Sequence, residues 1–182
     1  MRKIIVDIDN TLWALAPVLY QHLRKVAPSM PEHELWGEWD FWDGYIDEKT
    51  LYTVIWEIHL NQDRYGVYPE SQRFLSLLKE KGYHIIIASH RDKDTIHATT
   101  RWLEKHQLPF DELHLSYDKS VLFSDAWAIV DDSPVTLEKA AKAGIIRAGL
   151  RNPWNKNENH PLFSNLMEIY EYLESQCQRS NS

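Results

Sequence analysis

The chain has 182 residues, a formal net charge of −7 at pH 7 and one cysteine. That length suits one domain with its own core. The negative balance excludes a general affinity for nucleic-acid backbone, which needs a basic face, and a lone Cys177 excludes an internal disulfide. No apolar stretch approaches the roughly 20 residues that span a bilayer, and Met1-Arg2-Lys3 lead straight into a strand pattern rather than a secretory leader. A soluble cytoplasmic protein is expected, monomeric or homodimeric, without a membrane or a nucleic-acid polymer as partner.

The first apolar run, Ile4 to Ile8, ends in two carboxylates and a threonine, Asp7, Asp9 and Thr11. In a strand the period of two points Asp7 and Asp9 the same way at its carboxyl end. Like charges about 5 Å apart at an effective dielectric near 20 repel by roughly 3 kcal/mol, so the pair implies a cation, a shared proton or solvent. Residues 13–68 then carry five of the eight tryptophans, with helical patterns at Val18 to Val26 and Leu51 to Leu60. This stretch reads as a small helical cap inserted after the first strand, placed to exclude water and contact substrate.

From Pro69 a regular alternation follows. A helix is expected over Pro69 to Lys81, stopped by Gly82, and a buried strand over Tyr83 to Ala88, ending at Ser89-His90-Arg91. A helix over Asp94 to His106 and a weaker strand at Leu113 to Ser116 lead to Asp118-Lys119. The strand Ala126 to Val130 ends in a second acidic pair, Asp131-Asp132. Ser133-Pro134 then cap a helix over Val135 to Ala143, and Ile145 to Leu150 is a fifth strand. Residues 175–182 read as a frayed polar tail. Strands separated by helices of this length define an α/β chain with a doubly wound parallel sheet, Rossmann-type in its core. The expected division is a core of residues 1–12 and 69–182 and a cap of 13–68. Sites in such sheets form beyond the carboxyl ends of the strands, where Asp7, Ser89, Lys119 and Asp131-Asp132 all fall.

Asp-Ile-Asp-Asn-Thr at 7–11, Ser89, Lys119 and Asp131-Asp132, in that order and each at a strand end, resemble the four motifs of the haloacid dehalogenase-like (HAD) hydrolase superfamily. Within it, Arg101 to His106, Leu115 to Leu122 and Ile129 to Asp132 are similar to the 5′(3′)-deoxyribonucleotidases and their bacterial relatives. Asn152-Pro153-Trp154-Asn155 is similar to a Pro-aromatic-Asn loop of those bacterial relatives, although Asn10-Thr11 stand where the animal enzymes carry Gly-Val.

The residues and the resemblance together imply a phosphomonoesterase. Asp7 would attack phosphorus to form an aspartyl-phosphate, and Asp9 would act as general acid and then general base. A Mg²⁺ ion held by Asp7, the Asp9 carbonyl and Asp132 would relieve the carboxylate repulsion, with Asp131 beside it; the choice of Asp132 as direct ligand comes from the resemblance. Lys119 and Ser89 would stabilise the nonbridging oxygens. Thr11, His90 and Arg91 complete the candidates for substrate contact, the last two fitting a loop salt bridge equally well. Capping remains an alternative for Ser89 and for Asp131-Asp132.

The cluster Trp36 to Trp42 exceeds the aromatic content that a two-helix insertion needs for its own core, so Trp39, Phe41 and Trp42 are candidates to stack on a nucleobase. A nucleoside monophosphate is the expected small phosphorylated substrate. Another small phosphomonoester of the sugar phosphate type, or a noncatalytic phosphate-binding role, are the alternatives. The spacing of Gly144 and Gly149 is followed by Leu150-Arg151 rather than Lys-Ser/Thr, which rules out a P-loop, and no histidine pair has zinc-site spacing.

Overall fold

The computed structural model describes residues 1–179. Its strands are β1 (Lys3–Val6), β2 (His84–Ser89), β3 (Glu112–Leu115), β4 (Ala126–Val130), β5 (Ile146–Leu150) and β6 (Leu162–Phe163). All pair in parallel in the order β3-β2-β1-β4-β5-β6. A parallel sheet covered on both faces needs near-continuous apolar strands, and Ile4 to Val6, Ile85 to Ile87 and Ala128 to Val130 are accordingly buried. The helices are α1 (Leu15–Val26), α2 (Glu48–Leu60), α3 (Ser71–Glu80), α4 (Ile96–Lys105), α5 (Pro134–Lys142) and α6 (Leu166–Arg179). Among the described residues, no helix is long and apolar enough to cross a membrane.

From β1 the chain builds β2 and β3 outward on one side, then returns across β1 to lay β4 to β6 on the other. The order therefore reverses between β1 and β4, and a crevice opens there at the carboxyl edge. Val6 pairs with Val130, and the Asp7 amide donates to the Val130 carbonyl at 2.9 Å. The next positions along the two strands are Asp7 and Asp131, so the pairing itself sets two carboxylates side by side.

β1 is shorter than the run Ile4 to Ile8, because the chain turns at once. The amides of Thr11 and Leu12 both bond back to the Ile8 carbonyl, and Asn10 takes a left-handed φ of 54°, which asparagine tolerates better than most residues. The Asn10 side chain then accepts from the Ala16 amide at 2.8 Å, and α1 starts three residues before the expected Val18. α2 packs on α1 and α4. Trp13 stacks on Tyr65 with centroids 5.2 Å apart and meets Trp102 of α4 edge-on, so these helices share one hydrophobic core with the sheet.

No element is expected from the sequence after Leu150, and the polar tail of 175–182 is corrected by the structure. α6 continues through this stretch to Arg179, burying Leu166, Ile169 and Leu173, and its polar side carries Glu174, which pairs with Lys81 and accepts from the Tyr83 hydroxyl. Arg2 donates to Cys177. Residues 180–182 of the expected tail lie outside the described residues.

β5 approaches the acidic end of β4 closely. A Cβ added at Gly149 would lie 2.3 Å from the Asp131 carbonyl oxygen, with Leu162 and Leu137 also in contact range. Gly149→Ala is expected to destabilise the protein by about 1–3 kcal/mol through overpacking. Denaturant unfolding checks this, and an unchanged midpoint would show that β5 has room to move.

Candidate active site

Ligand atoms of Asp7, Asp131 and Asp132 lie within 4.8 Å of one another, and all three residues are buried. The Lys119 ammonium enters from a 3-10 stretch, Lys119–Asp125, that follows β3. It donates to Asp7 Oδ1 and, at 2.7 Å, to Asp131 Oδ2. The other Asp131 oxygen accepts from the Ser133 amide at 2.9 Å. Asp132 Oδ2 accepts from the Trp154 indole N–H at 3.2 Å, and the Asn10 side chain stands beside the same carboxylate and favours its ionised form.

Burial pushes the Asp7 carboxyl up to about 7, reinforced by Asp131 and Asp9 and opposed by Lys119. Burial, then Asp7 and Asp131, hold Asp132 well above the usual carboxylate range. Lys119 is favoured in its charged form, since Asp131 and Asp7 outweigh the burial that would lower it. Three buried carboxylates thus cluster beside one ammonium. The donor set is all oxygen, without thiolate or imidazole, which suits a hard divalent cation of the Mg²⁺ or Ca²⁺ kind.

Asp9 looks elsewhere. Its carboxylate accepts two bonds from one Arg91 nitrogen, at 2.8 and 2.9 Å, one from the Trp13 indole at 2.8 Å and one from the Ser89 hydroxyl at 3.2 Å. His59 Nε2 of α2 stands 3.1 Å away. Burial would raise the Asp9 carboxyl, but Arg91 and His59 together hold it well below the ordinary range. The remaining Arg91 donors go to the Ser89 hydroxyl at 2.8 Å, the Thr99 hydroxyl at 2.9 Å and the Gln62 side-chain carbonyl.

Arg91 is a buried salt-bridge partner of Asp9. All three of its guanidinium nitrogens donate within the protein, and it does not line the cavity. Ser89 is fully buried between Asp9 and Arg91, and Thr11 is fully buried with its hydroxyl unpartnered; neither belongs to the cavity wall.

The cavity itself, about 230 Å³, runs from the acidic cluster to an apolar end. Asp7, Asp9, Lys119, Asp131, Asp132 and His90 line it, as do Trp39, Phe41 and Trp42 on the opposite side. Trp36 stacks on Phe41 with centroids 3.7 Å apart and planes 6° apart, so that face of Phe41 is already covered. Trp39 is half-buried and has no ring partner among the described residues.

The structure adds Asn10, Tyr52, His59, Tyr117, Lys139 and Trp154 to the wall. Asn10, Tyr117 and Trp154 lie within stretches that the sequence already marks, at 7–11, 115–122 and 152–155. Tyr52, His59 and Lys139 come from helices distant in the chain, and no local pattern marks them.

No family model matches the chain. A curated protein of Chlorobaculum tepidum named "Putative 5′(3′)-deoxyribonucleotidase" is 20% identical over 193 residues, spanning 95% of this chain and 91% of that one. Among solved structures, a phosphatase from Clostridium acetobutylicum, described as predicted, matches with a TM-score of 0.66 at 17% identity, over 96% of this chain and 98% of that one. A HAD hydrolase of family IA, variant 3, from Entamoeba histolytica matches with a TM-score of 0.62 at 13% identity, over 93% and 95%. Six parallel strands in this order, together with these likenesses, show an α/β Rossmann-like fold of the haloacid dehalogenase (HAD) type.

Because the Asp7 carboxyl is raised from 3.8 to about 7 in the folded protein, the native state holds a proton there that the unfolded chain has lost. The metal-free protein should therefore lose stability as pH rises through that window. A divalent cation takes the proton's place, so the Tm increase on adding one should be small near about pH 5 and larger near about pH 8. Thermal unfolding in chelator and in excess cation at both pH values measures this; an increase no larger at the higher pH would contradict it.

Proposed function

We propose that the chain is a Mg²⁺-dependent phosphomonoesterase acting through an aspartyl-phosphate on Asp7, with nucleoside monophosphates as its substrates. The observation that carries this reading is the burial of Asp7 beside Lys119, Asp131 and Asp132 at the switch point between β1 and β4. Asp7, Asp132 and the Asp9 carbonyl would hold the ion, with Asp131 keeping Lys119 in place. When bound, it supplies positive charge to the carboxylates and to the phosphoryl oxygens.

Lys119 holds Asp7 Oδ1, leaving the other Asp7 oxygen to attack phosphorus. The Asp7 O–P bond forms as the ester P–O bond breaks, and Asp9, on the cavity wall, gives the leaving oxygen a proton that it must first take from water against its pairing with Arg91. In the second half Asp9 takes a proton from the water that hydrolyses the aspartyl-phosphate. The Arg91 clamp favours this ionised form. Lys119 stabilises the nonbridging oxygens throughout, which is where a phosphoryl transition state needs charge.

Residues 13–68 act as the cap, since they supply the apolar end of the cavity. Trp39, Phe41 and Trp42 offer ring faces and almost no hydrogen-bond partners, which suits a base better than the hydroxyls of a sugar phosphate. The name of the Chlorobaculum relative points the same way.

Phosphate release from a panel of nucleoside monophosphates, sugar phosphates and an aryl phosphate, with Mg²⁺ and with chelator, tests the whole reading. Activity should need Mg²⁺ and be greatest on nucleotides. Asp7→Asn, nearly isosteric, should keep the fold and reduce kcat to less than about a hundredth of wild type. More residual turnover would remove Asp7 as nucleophile.

Trp39 has the freest ring in the apolar end. Trp39→Ala should raise KM for a nucleotide by about 5- to 150-fold, the equivalent of one lost stacking contact, and leave an aryl phosphate far less affected. Equal losses on both substrates would show that Trp39 only supports the cap.

A further inference from the structure

The loop between β5 and β6 contacts the acidic cluster through groups that the phosphatase chemistry above does not use. Trp154 is buried, and its indole N–H donates to Asp132 Oδ2 at 3.2 Å. Asn155, fully buried, donates from one carboxamide nitrogen to two carbonyls at 2.9 Å, those of Asp132 and Leu150. Its own carbonyl accepts from the Asn152 amide at 2.8 Å, closing the loop on itself. Both the side chain and the backbone of Asp132 are thereby tied to one short segment.

The choice of partners is informative. A carboxylate that binds a cation with one oxygen keeps more of its negative charge for that cation when its other oxygen is held by a neutral donor. A lysine or arginine in that place would compete with the cation for the same negative charge. Lys119 plays that part for Asp7 and Asp131, but it makes no bond to Asp132. The neutral indole leaves the Asp132 charge available, and a rigid bicyclic side chain fixes the carboxylate plane at a small entropic cost.

We propose that Trp154 and Asn155 are positioning residues for the divalent cation, holding the Asp132 carboxylate in place beside Asp7 and Asp131. The assignment rests on the metal reading of the acidic cluster given above and extends it to a loop outside the four motifs. Removing such an outer partner typically costs about 10- to 100-fold in metal affinity.

Calorimetric titration of Mg²⁺ into chelator-stripped wild type, Trp154→Phe and Asp132→Asn provides the test, with the apo Tm of each recorded. Phenylalanine keeps an aromatic ring in the site and removes the donor. Wild type should bind Mg²⁺, Asp132→Asn should bind none measurable, and Trp154→Phe should bind with Kd raised about 10- to 100-fold. A wild type that binds no Mg²⁺ would overturn the metal reading itself. A wild type that binds, with Trp154→Phe equal to it in Kd, would overturn the positioning role alone, whatever the change in apo Tm.

A second measurement needs no variant. Among the indole N–H signals of the eight tryptophans, that of Trp154 should move most when Mg²⁺ is added to ¹⁵N-labelled wild type. A Trp154 signal that stays in place while Mg²⁺ binds would overturn the proposal even if Trp154→Phe failed to fold.

Discussion

Carboxylates crowded out of water at the carboxyl ends of β1 and β4 are the constraint around which the rest is arranged. Asp7, Asp9, Asp131 and Asp132 bring four negative charges to one crevice, and Lys119 and Arg91 answer only two of them. Isolated buried carboxylates cost several kcal/mol each unless they are paired, protonated or bound to a cation. The protein uses two solutions. Asp9 is paired with a buried guanidinium, which favours its ionised form, whereas at Asp7 burial outweighs Lys119 and Asp132 has no salt bridge among the described residues, so both carboxyls are raised above the usual range.

The Arg91 clamp also has a mechanical side. Through one planar fork it joins the turn after β1, the end of β2, α4 and the 3-10 turn that follows α2. A residue of the helical stretch, His59, touches the same carboxylate. The acid-base candidate is thus held by elements from both the sheet and the helices over it. An arginine serves this purpose where a lysine would not, because five donors in fixed directions can satisfy four partners at once.

The aromatic residues divide by packing. Trp13 and Trp36 are buried and have ring partners, so they belong to the core that joins helices to sheet. Trp39, Phe41 and Trp42 are half-buried on the cavity wall. Four of the five tryptophans of residues 13–68 therefore serve two purposes, while Trp56 is exposed and donates to Asp94, and composition alone does not separate them. The same holds for the end of the chain, where Leu166, Ile169 and Leu173 form a single narrow apolar stripe that reads weakly until the sheet is there to receive it.

The strands and their order of motifs were legible because each is a local property. An apolar run that stops at Asp7, at Ser89 or at Asp131 states its own boundary, and a parallel sheet then brings those ends to one edge whatever the intervening sequence. The trio of Asp7, Asp131 and Asp132 follows from β1 and β4 being neighbours, an order that the alternation of strands and helices leaves open and the sheet topology shows. What only the tertiary structure decided is the use of each polar group. Arg91 could have faced phosphate or a carboxylate, and it was the burial of Asp9 beside it that settled the matter, since an unpaired charge there would be the costlier arrangement. His59, Trp154 and Asn155 reach the same crevice from a helix and a loop far apart in the chain. Their roles depend on direction and distance, quantities that a sequence carries only through the fold it specifies.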